Sequence, residues 1–229
     1  MKVTCILTSF NRPNWVRHSL GSVFCQTHQD YELIVIDESE IFDIRPVVAK
    51  LPFREVKVVH HDVSAEERAK VNRLSVNINE GLNLATGDLV CYLADDDFLY
   101  PEWFSEASSF FSKNPGVFAA FGKLARSYSR EWIYPTDPEI VFPNGIISDP
   151  FCRLDHNQIV HRKLQPPIEW PIDKSTLSAP DGLFMREVGK RYPFHPIPVF
   201  AAVKRMEHGK NLQNDADIYM GGHMRGARE

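Results

Sequence analysis

Leu89-Val-Cys-Tyr-Leu-Ala-Asp-Asp-Asp97 is an uninterrupted apolar run that stops at three consecutive carboxylates. Apolar residues without polar alternation are the pattern of a strand buried on both faces of a parallel sheet. Three adjacent acids repel one another, so a strand tip that holds them calls for positive charge. Oxygen-only ligands favour a hard divalent cation, Mg2+ or Mn2+, of the kind that bridges protein carboxylates to phosphates. The same stretch also reads as an acidic strand-to-helix turn in which an Asp caps the next helix. The rest of the chain has to choose between the two.

Upstream, three more apolar runs end in polar residues. Residues 3–8 end in Thr8-Ser9-Phe10-Asn11-Arg12-Pro13, residues 33–36 in Asp37-Glu38-Ser39, and residues 56–59 in His60-His61-Asp62. Between them lie helical patterns. Pro13 suits a first helical turn, followed by Val16, Leu20, Val23 and Phe24 on one stripe. Ser64 with Glu67 has the spacing of a capping box, and Val71, Leu74, Ile78, Leu82 and Ala85 continue at steps of three and four, predicting one helix with Gly87 at its C-terminal cap. Pro101 opens another, with Phe104, Ala107, Phe110 and Phe111 on one side. Strands alternating with helices predict an α/β fold with a Rossmann-like, mostly parallel central sheet and helices on both faces. In such sheets ligands bind beyond the carboxyl ends of the strands, where these polar endings fall.

After residue 117 the rhythm changes to short aromatic runs broken by prolines, including residues 132–134 and 158–161, which predicts a smaller mixed or antiparallel portion. Residues 181–191 read as a helix with Phe184, Val188 and Arg191 on one side, and 199–203 as a last strand. The expected division is a single domain over residues 1–213, with a nucleotide-binding half (1–97), an acceptor-binding half (98–213) and a polar tail at 214–229 expected to be mobile or ordered only by a partner.

At 229 residues and 43% apolar composition the chain can bury one substantial core. A net charge of -4 supplies no broad basic footprint, which argues against nucleic acid as a partner. Four scattered cysteines without a CxxC pair, three of them in apolar runs, read as reduced, buried thiols. No apolar run reaches the ~18 residues of a membrane span, and Met1-Lys2 leads directly into a strand without a signal peptide. The expectation is a cytoplasmic protein.

Taken together, three segments resemble family-2 glycosyltransferases of the GT-A fold, and within them the bacterial spore-coat polysaccharide type. They are the opening Val3-Thr-Cys-Ile-Leu-Thr-Ser-Phe-Asn-Arg-Pro13; the block from Arg73 through Asn79, Gly81 and Ala85-Thr-Gly87 to the acidic strand end; and Asp181-Gly-Leu-Phe-Met-Arg186 with Tyr192-Pro-Phe-His-Pro196. The resemblance implies a metal-dependent, inverting transfer of a sugar from a UDP- or dTDP-sugar to a hydroxyl of a polysaccharide, glycan or other acceptor. Position by position it implies that Thr8 and Asp37 bind the pyrimidine, with Phe10, Arg12, Arg73 and Asp95 also at the nucleotide. It makes Asp96 the direct ligand of Mn2+ or Mg2+, with Asp95 and His208 beside it and Asp97 supporting or capping. Asp181 becomes the general base, although Pro180-Asp181 also suits a helix cap. Asp155, His156, Arg186 and Lys210 become sugar or phosphate contacts. One departure is Ala94, which stands where the commonest family pattern has Asp and the spore-coat type has Thr.

Other readings remain open on the residues alone. A retaining GT-A transferase needs no such base, and a non-catalytic nucleotide- or carbohydrate-binding module would bind nucleotide without turnover. A nucleotidyltransferase is disfavoured because residues 8–13 contain neither Gly nor Lys. His60-His61-Asp62 lacks metal spacing and reads as a solvated strand end, His161 as packed on its strand, and Trp103, Trp132 and Trp170 as core or rim residues able to stack on a sugar.

Overall fold

The computed structural model describes residues 1–129, 133–164, 166–176, 179–207 and 210–211. The elements in chain order are β1 (Val3–Ser9), α1 (Val16–Phe24), β2 (Tyr31–Asp37), α2 (Arg45–Val48), β3 (Val56–His60), α3 (Ala65–Lys70), α4 (Arg73–Leu84), β4 (Leu89–Ala94), β5 (Phe98–Leu99), α5 (Trp103–Lys113), β6 (Ala119–Ser127), β7 (Glu139–Val141), β8 (Ile159–Arg162), α6 (Pro180–Arg191), β9 (Phe194–Glu207) and β10 (Lys210–Asn211).

One sheet runs through them in the order β10-β9-β6-β8-β4-β1-β2-β3, with β5 on β9 and β7 on β6. β3, β2, β1 and β4 are mutually parallel, as the unalternated apolar runs predict. β8 enters antiparallel between β4 and β6, and β9 then pairs parallel with β6, which makes this side the mixed portion. The architecture is the expected α/β one, a mostly parallel sheet with a smaller mixed portion.

Strand alternation sends Val3, Cys5 and Leu7 to one face of the sheet and Ile6 to the other. On the first face they pack with Val16, Leu20 and Val23 of α1 and with Trp103, Phe104 and Phe111 of α5. On the second, Ile6, Ile34 and Ile36 pack with Ile78 of α4, and Tyr92 with Phe184 of α6. Trp103 and Trp170 are both core side chains rather than sugar platforms. His161 is likewise buried, against the Tyr92 hydroxyl at 2.7 Å, and burial pushes its pKa down to about 4.

The structure departs from the sequence pattern at several boundaries. The capping box at Ser64 and Glu67 forms as predicted, but the helix does not run through to Ala85. Val71 is extended and bridges Asp173, and Asn72 restarts the helix as an N-cap, its side chain accepting from the Ser75 amide. A backbone bond from Asn72 to the Ile172 carbonyl outcompetes helix continuation there and turns Arg73 toward the sheet. Pro13 and Pro101 lie in turns, and their helices begin at Val16 and Trp103. Arg191 is solvated rather than on the buried stripe of α6. β9 is a 14-residue strand that reaches well beyond the five residues of its apolar centre. Cys25 and Cys152 are exposed, so only Cys5 and Cys91 fit the expectation of buried thiols. Trp132, His208 and the 214–229 tail lie outside the described residues, as does the side chain of Lys210.

Gly87 has no positive φ and caps nothing. Its reason is proximity: a Cβ there would stand 2.7 Å from Thr4 Oγ1, 2.8 Å from Thr4 N and 2.9 Å from Lys2 O. Two of these are backbone atoms of the central strand, which cannot yield cheaply. Gly87→Ala is therefore expected to lower stability by about 1 to 3 kcal/mol, read as a shifted urea midpoint with an unchanged m-value.

Candidate active site

A cavity of about 350 Å³ opens beyond the carboxyl ends of β1 and β4, where the parallel strands deliver their polar endings. Each strand end needs a device that aims it. After β1, Asn11 adopts a left-handed conformation (φ 53), which Asn tolerates better than most residues. It is pinned there: its amide donates to Ser39 Oγ, and its side-chain oxygen accepts from the Glu40 amide at 2.7 Å. The kink folds the chain back on itself, so that the Phe10 amide donates to Asp95 Oδ2 (2.8 Å) and Arg12 Nη1 meets Asp95 Oδ1 (2.6 Å) and Asp96 Oδ2 (3.1 Å).

The three carboxylates have unequal environments. Burial pushes Asp95 up, to about 6, even with Arg12 opposing it. Asp97 is also raised by burial and by Asp96, and both of its oxygens are committed: Oδ1 accepts from the Arg205 amide (2.8 Å) and Oδ2 from Asn157 Nδ2 (2.7 Å). It is followed by β5 and caps no helix, because β9 and Asn157 hold it inside. Asp96 has Arg12 as its hydrogen-bonding-range partner and lines the cavity.

Asn157, itself fully buried, joins this strand end to a second acidic position. Its oxygen accepts from the Ala94 amide, and its nitrogen donates to Asp97 Oδ2 and to Asp155 Oδ1. Asp155 is further paired with Lys204 of β9. Burial opposes its ionisation, but Lys204 and His156 outweigh that and hold its pKa well below the usual carboxylate range. His156 Nδ1 lies 3.6 Å from Asp155 Oδ1 and 3.8 Å from Asp181 Oδ2, without a hydrogen-bond partner. Burial works against its imidazolium, yet Asp155 and Asp181 together raise its pKa. Asp155, His156 and Asp181 thus present one ligand-type atom each within 4.8 Å of one another.

Of the residues singled out by sequence, the structure brings Thr8, Phe10, Arg12, Arg73, Asp95, Asp96 and His156 to the cavity wall. Asp181 reaches its edge through His156, and Asp155 lies behind Lys204 and His156. Asp181 sits in the first turn of α6 after Pro180 and does not act as the cap, which falls at Ala179; its Oδ1 accepts from the adjacent Gly182 amide. Asp37 is fully buried at the end of β2, with Oδ1 accepting from Ser39 Oγ and Oδ2 against His60 Nδ1, so His60 is a bound strand end. Glu38, one residue later and past the end of β2, lines the cavity. The Arg186 guanidinium stacks 4.1 Å over Phe151 and contacts Asp149.

Sequence reasoning missed Glu38, Arg68, Asn157, Lys204 and Arg205. Glu38 Oε1 accepts from Arg73 Nε (2.9 Å) and Oε2 from Arg68 Nη1 (2.6 Å), while Arg68 stacks on the Phe10 ring at 4.1 Å. Glu38 was visible only as the neighbour of Asp37; Lys204 and Arg205 only as charges that follow an apolar run.

The donor set fits a divalent cation at Asp95 and Asp96. Both are carboxylates that line the cavity, and both already share a cationic partner in Arg12. The Asp155 group is different, because Lys204 and His156 neutralise it from within.

Fold and cavity define a GT-A glycosyltransferase domain, acidic at one strand end and ringed by guanidinium groups. Residues 4–164 match the description Glycosyl transferase family 2, and the chain belongs to that family. Among curated relatives it is 28% identical over 204 residues to protein CgeD of Bacillus subtilis, covering 86% of this chain and 48% of that one. It is 26% identical over 119 residues to an uncharacterized glycosyltransferase of Rickettsia conorii, covering 52% and 18%. The chain therefore spans about half of one relative's length and less of the other's. Among solved structures it is similar to S. aureus TarS 1-349 in complex with UDP-GlcNAc, with a TM-score of 0.72, 17% identity, and coverage of 92% of this chain and 60% of that one. It is also similar to the mannosyltransferase PcManGT of Pyrobaculum calidifontis in complex with GDP-Man and Mn2+, with a TM-score of 0.59, 15% identity, and coverage of 88% and 56%. No helix among the described residues is long and apolar enough to cross a membrane.

Asn157 tests the account of the buried acids. Asn157→Asp keeps the shape but sets a third carboxylate between Asp97 and Asp155 and removes both of their amide bonds. A loss of about 3 kcal/mol or more is expected at pH 7 by urea unfolding.

Proposed function

We propose that this domain transfers a sugar from a UDP- or dTDP-sugar to an acceptor hydroxyl with inversion, and that Asp181 is the general base. The observation that carries the reading is the single cavity at which the Asp95-Asp96 pair meets Arg12, Arg68 and Arg73, with Asp181 at its edge beside His156. Guanidinium groups suit a diphosphate, and a separate carboxylate near a cationic imidazole suits proton abstraction.

In this reading Thr8 and Asp37 bind the pyrimidine with Phe10 beside it, Ser39 and His60 orienting the Asp37 carboxylate, while Glu38 on the cavity wall holds Arg73 and Arg68 at the nucleotide. Asp96, with Asp95, would hold Mn2+ or Mg2+, which when bound supplies positive charge to the diphosphate. Asp155, fixed by Lys204 and Asn157, would accept hydrogen bonds from the sugar. Asp181 would take the acceptor proton as the acceptor oxygen attacks the anomeric carbon, and His156 would keep that carboxylate ionised and oriented. His208 and Lys210 remain proposed phosphate or metal contacts on the resemblance alone.

Asp181→Asn should abolish transfer from UDP- and dTDP-sugars while UDP affinity, measured by calorimetry, stays within about twofold of wild type. Nearly full activity in that variant would remove Asp181 from the base role. Asp96→Asn should cost the Mn2+-dependent part of UDP binding and leave the metal-free part in place. Metal enhancement that survives the substitution would move the ion elsewhere.

A further inference from the structure

A second concavity meets the donor cavity at Lys204, which lines both, and Asp155, paired with Lys204 and next to His156, lines the second. Its floor is one face of the mixed portion of the sheet. Arg126 of β6 is the register partner of Lys204 on β9, and Leu124 and Met206, each two residues away, share that face. Val141, opposite Leu124 on β7, extends it toward the sheet edge. Residues 152–155 form the facing wall, and about 180 Å³ is enclosed.

The wall is built rigidly against the helix that carries Asp181. The Phe151 ring lies where a Gly182 Cβ would meet it at 2.9 Å, and a Gly189 Cβ would stand 2.2 Å from the Ser148 carbonyl. Arg186 covers the outer side of Phe151 and contacts Asp149. Cys152 is held at φ 56, a left-handed conformation unusual for a residue other than glycine and one that needs such support.

The trough has an apolar floor and three cationic side chains, Arg126, Arg153 and Lys204, against one lining carboxylate, Asp155. Lys204 and Asp155 neutralise each other. Arg126 gives Nη1 to Glu139 at 2.6 Å, but its Nε is buried without an acceptor. Arg153 is exposed, and its charge acts on Asp149 without a side-chain hydrogen bond among the described residues. The trough therefore carries guanidinium donors that the protein itself does not use.

We propose that this trough is the acceptor site, and that it takes an acceptor whose attacking hydroxyl neighbours an anionic group, a phosphate or a carboxylate. The proposal rests on the glycosyltransferase reading above. Arg153 and the partly exposed guanidinium of Arg126 hold the anion, and Leu124, Val141 and Met206 pack on the carbon skeleton. The hydroxyl then points along the trough to its Asp155 end, beside His156 and Asp181. There the acceptor oxygen forms a bond to the anomeric carbon, the bond from that carbon to the diphosphate oxygen breaks, and its electron pair leaves with the nucleoside diphosphate. The acceptor proton passes to Asp181.

The test uses the full chain saturated with UDP and Mg2+, so that the donor cavity is filled. Glycerol 3-phosphate, glucuronic acid, glycerol and glucose are titrated in by calorimetry. One or both anions should bind at least tenfold more tightly than the neutral partners, and Arg153→Ala or Arg126→Gln should remove about tenfold of that affinity. The phosphate and carboxylate arms identify which anion the acceptor carries. If UDP binds but the anions bind no better than glycerol and glucose, the inference is overturned alone; so it is if anion binding ignores both substitutions. If UDP does not bind at all, the donor reading falls and the inference falls with it.

Discussion

Buried negative charge at the end of β4 is the constraint to which much of the surrounding structure responds. Asp95, Asp96 and Asp97 cannot all be ionised in a low-dielectric site without compensation, and the chain brings that compensation from far along its length. The kink at Asn11 returns Arg12 and the Phe10 amide to Asp95. The far end of β9 supplies the Arg205 amide to Asp97, and Asn157 supplies its side chain. In satisfying the acids, the first loop, the mixed portion and the last strand are drawn to one place. That place is the cavity.

The same arrangement links the two halves of the site. Asn157 bonds the acidic strand end on one side and Asp155 on the other, and Asp155 in turn meets Lys204 and His156. His156 lies beside Asp181 on α6, whose small residues Gly182 and Gly189 let residues 148–151 press against it. Buried polar contacts thus run from the strand end as far as Asp155, and His156 extends them toward the partly exposed Asp181 on the helix. Partners held in this way keep the site's geometry before any ligand arrives.

Legibility in the sequence followed the range of the interactions. Local signals were read correctly where one principle acted alone: the apolar runs of β1, β2 and β4, and the capping box at Ser64. They failed where a distant segment intervened. The periodicity through Val71 was helical, yet Asn72 found a backbone partner in Ile172, a hundred residues on, and the helix broke. Asp37 and Glu38 were indistinguishable as adjacent acids, but Asp37 ends β2 held by Ser39 and His60, while Glu38, past the strand, meets Arg68 and Arg73 at the cavity wall. Lys204 and Arg205 carried no local signal, because their meaning depends on β9 lying beside β6.

The sequence by itself determined the class of fold, the acidic strand end, and the family that its ordered motifs resemble, because these are fixed by periodicity and spacing within short windows. Only the tertiary structure decided which acid faces the cavity, which cations answer the triplet, and that Asp181 stands beside His156. Those are contacts between residues far apart in the chain, and no local pattern specifies which distant side chains will share a charge once both are buried.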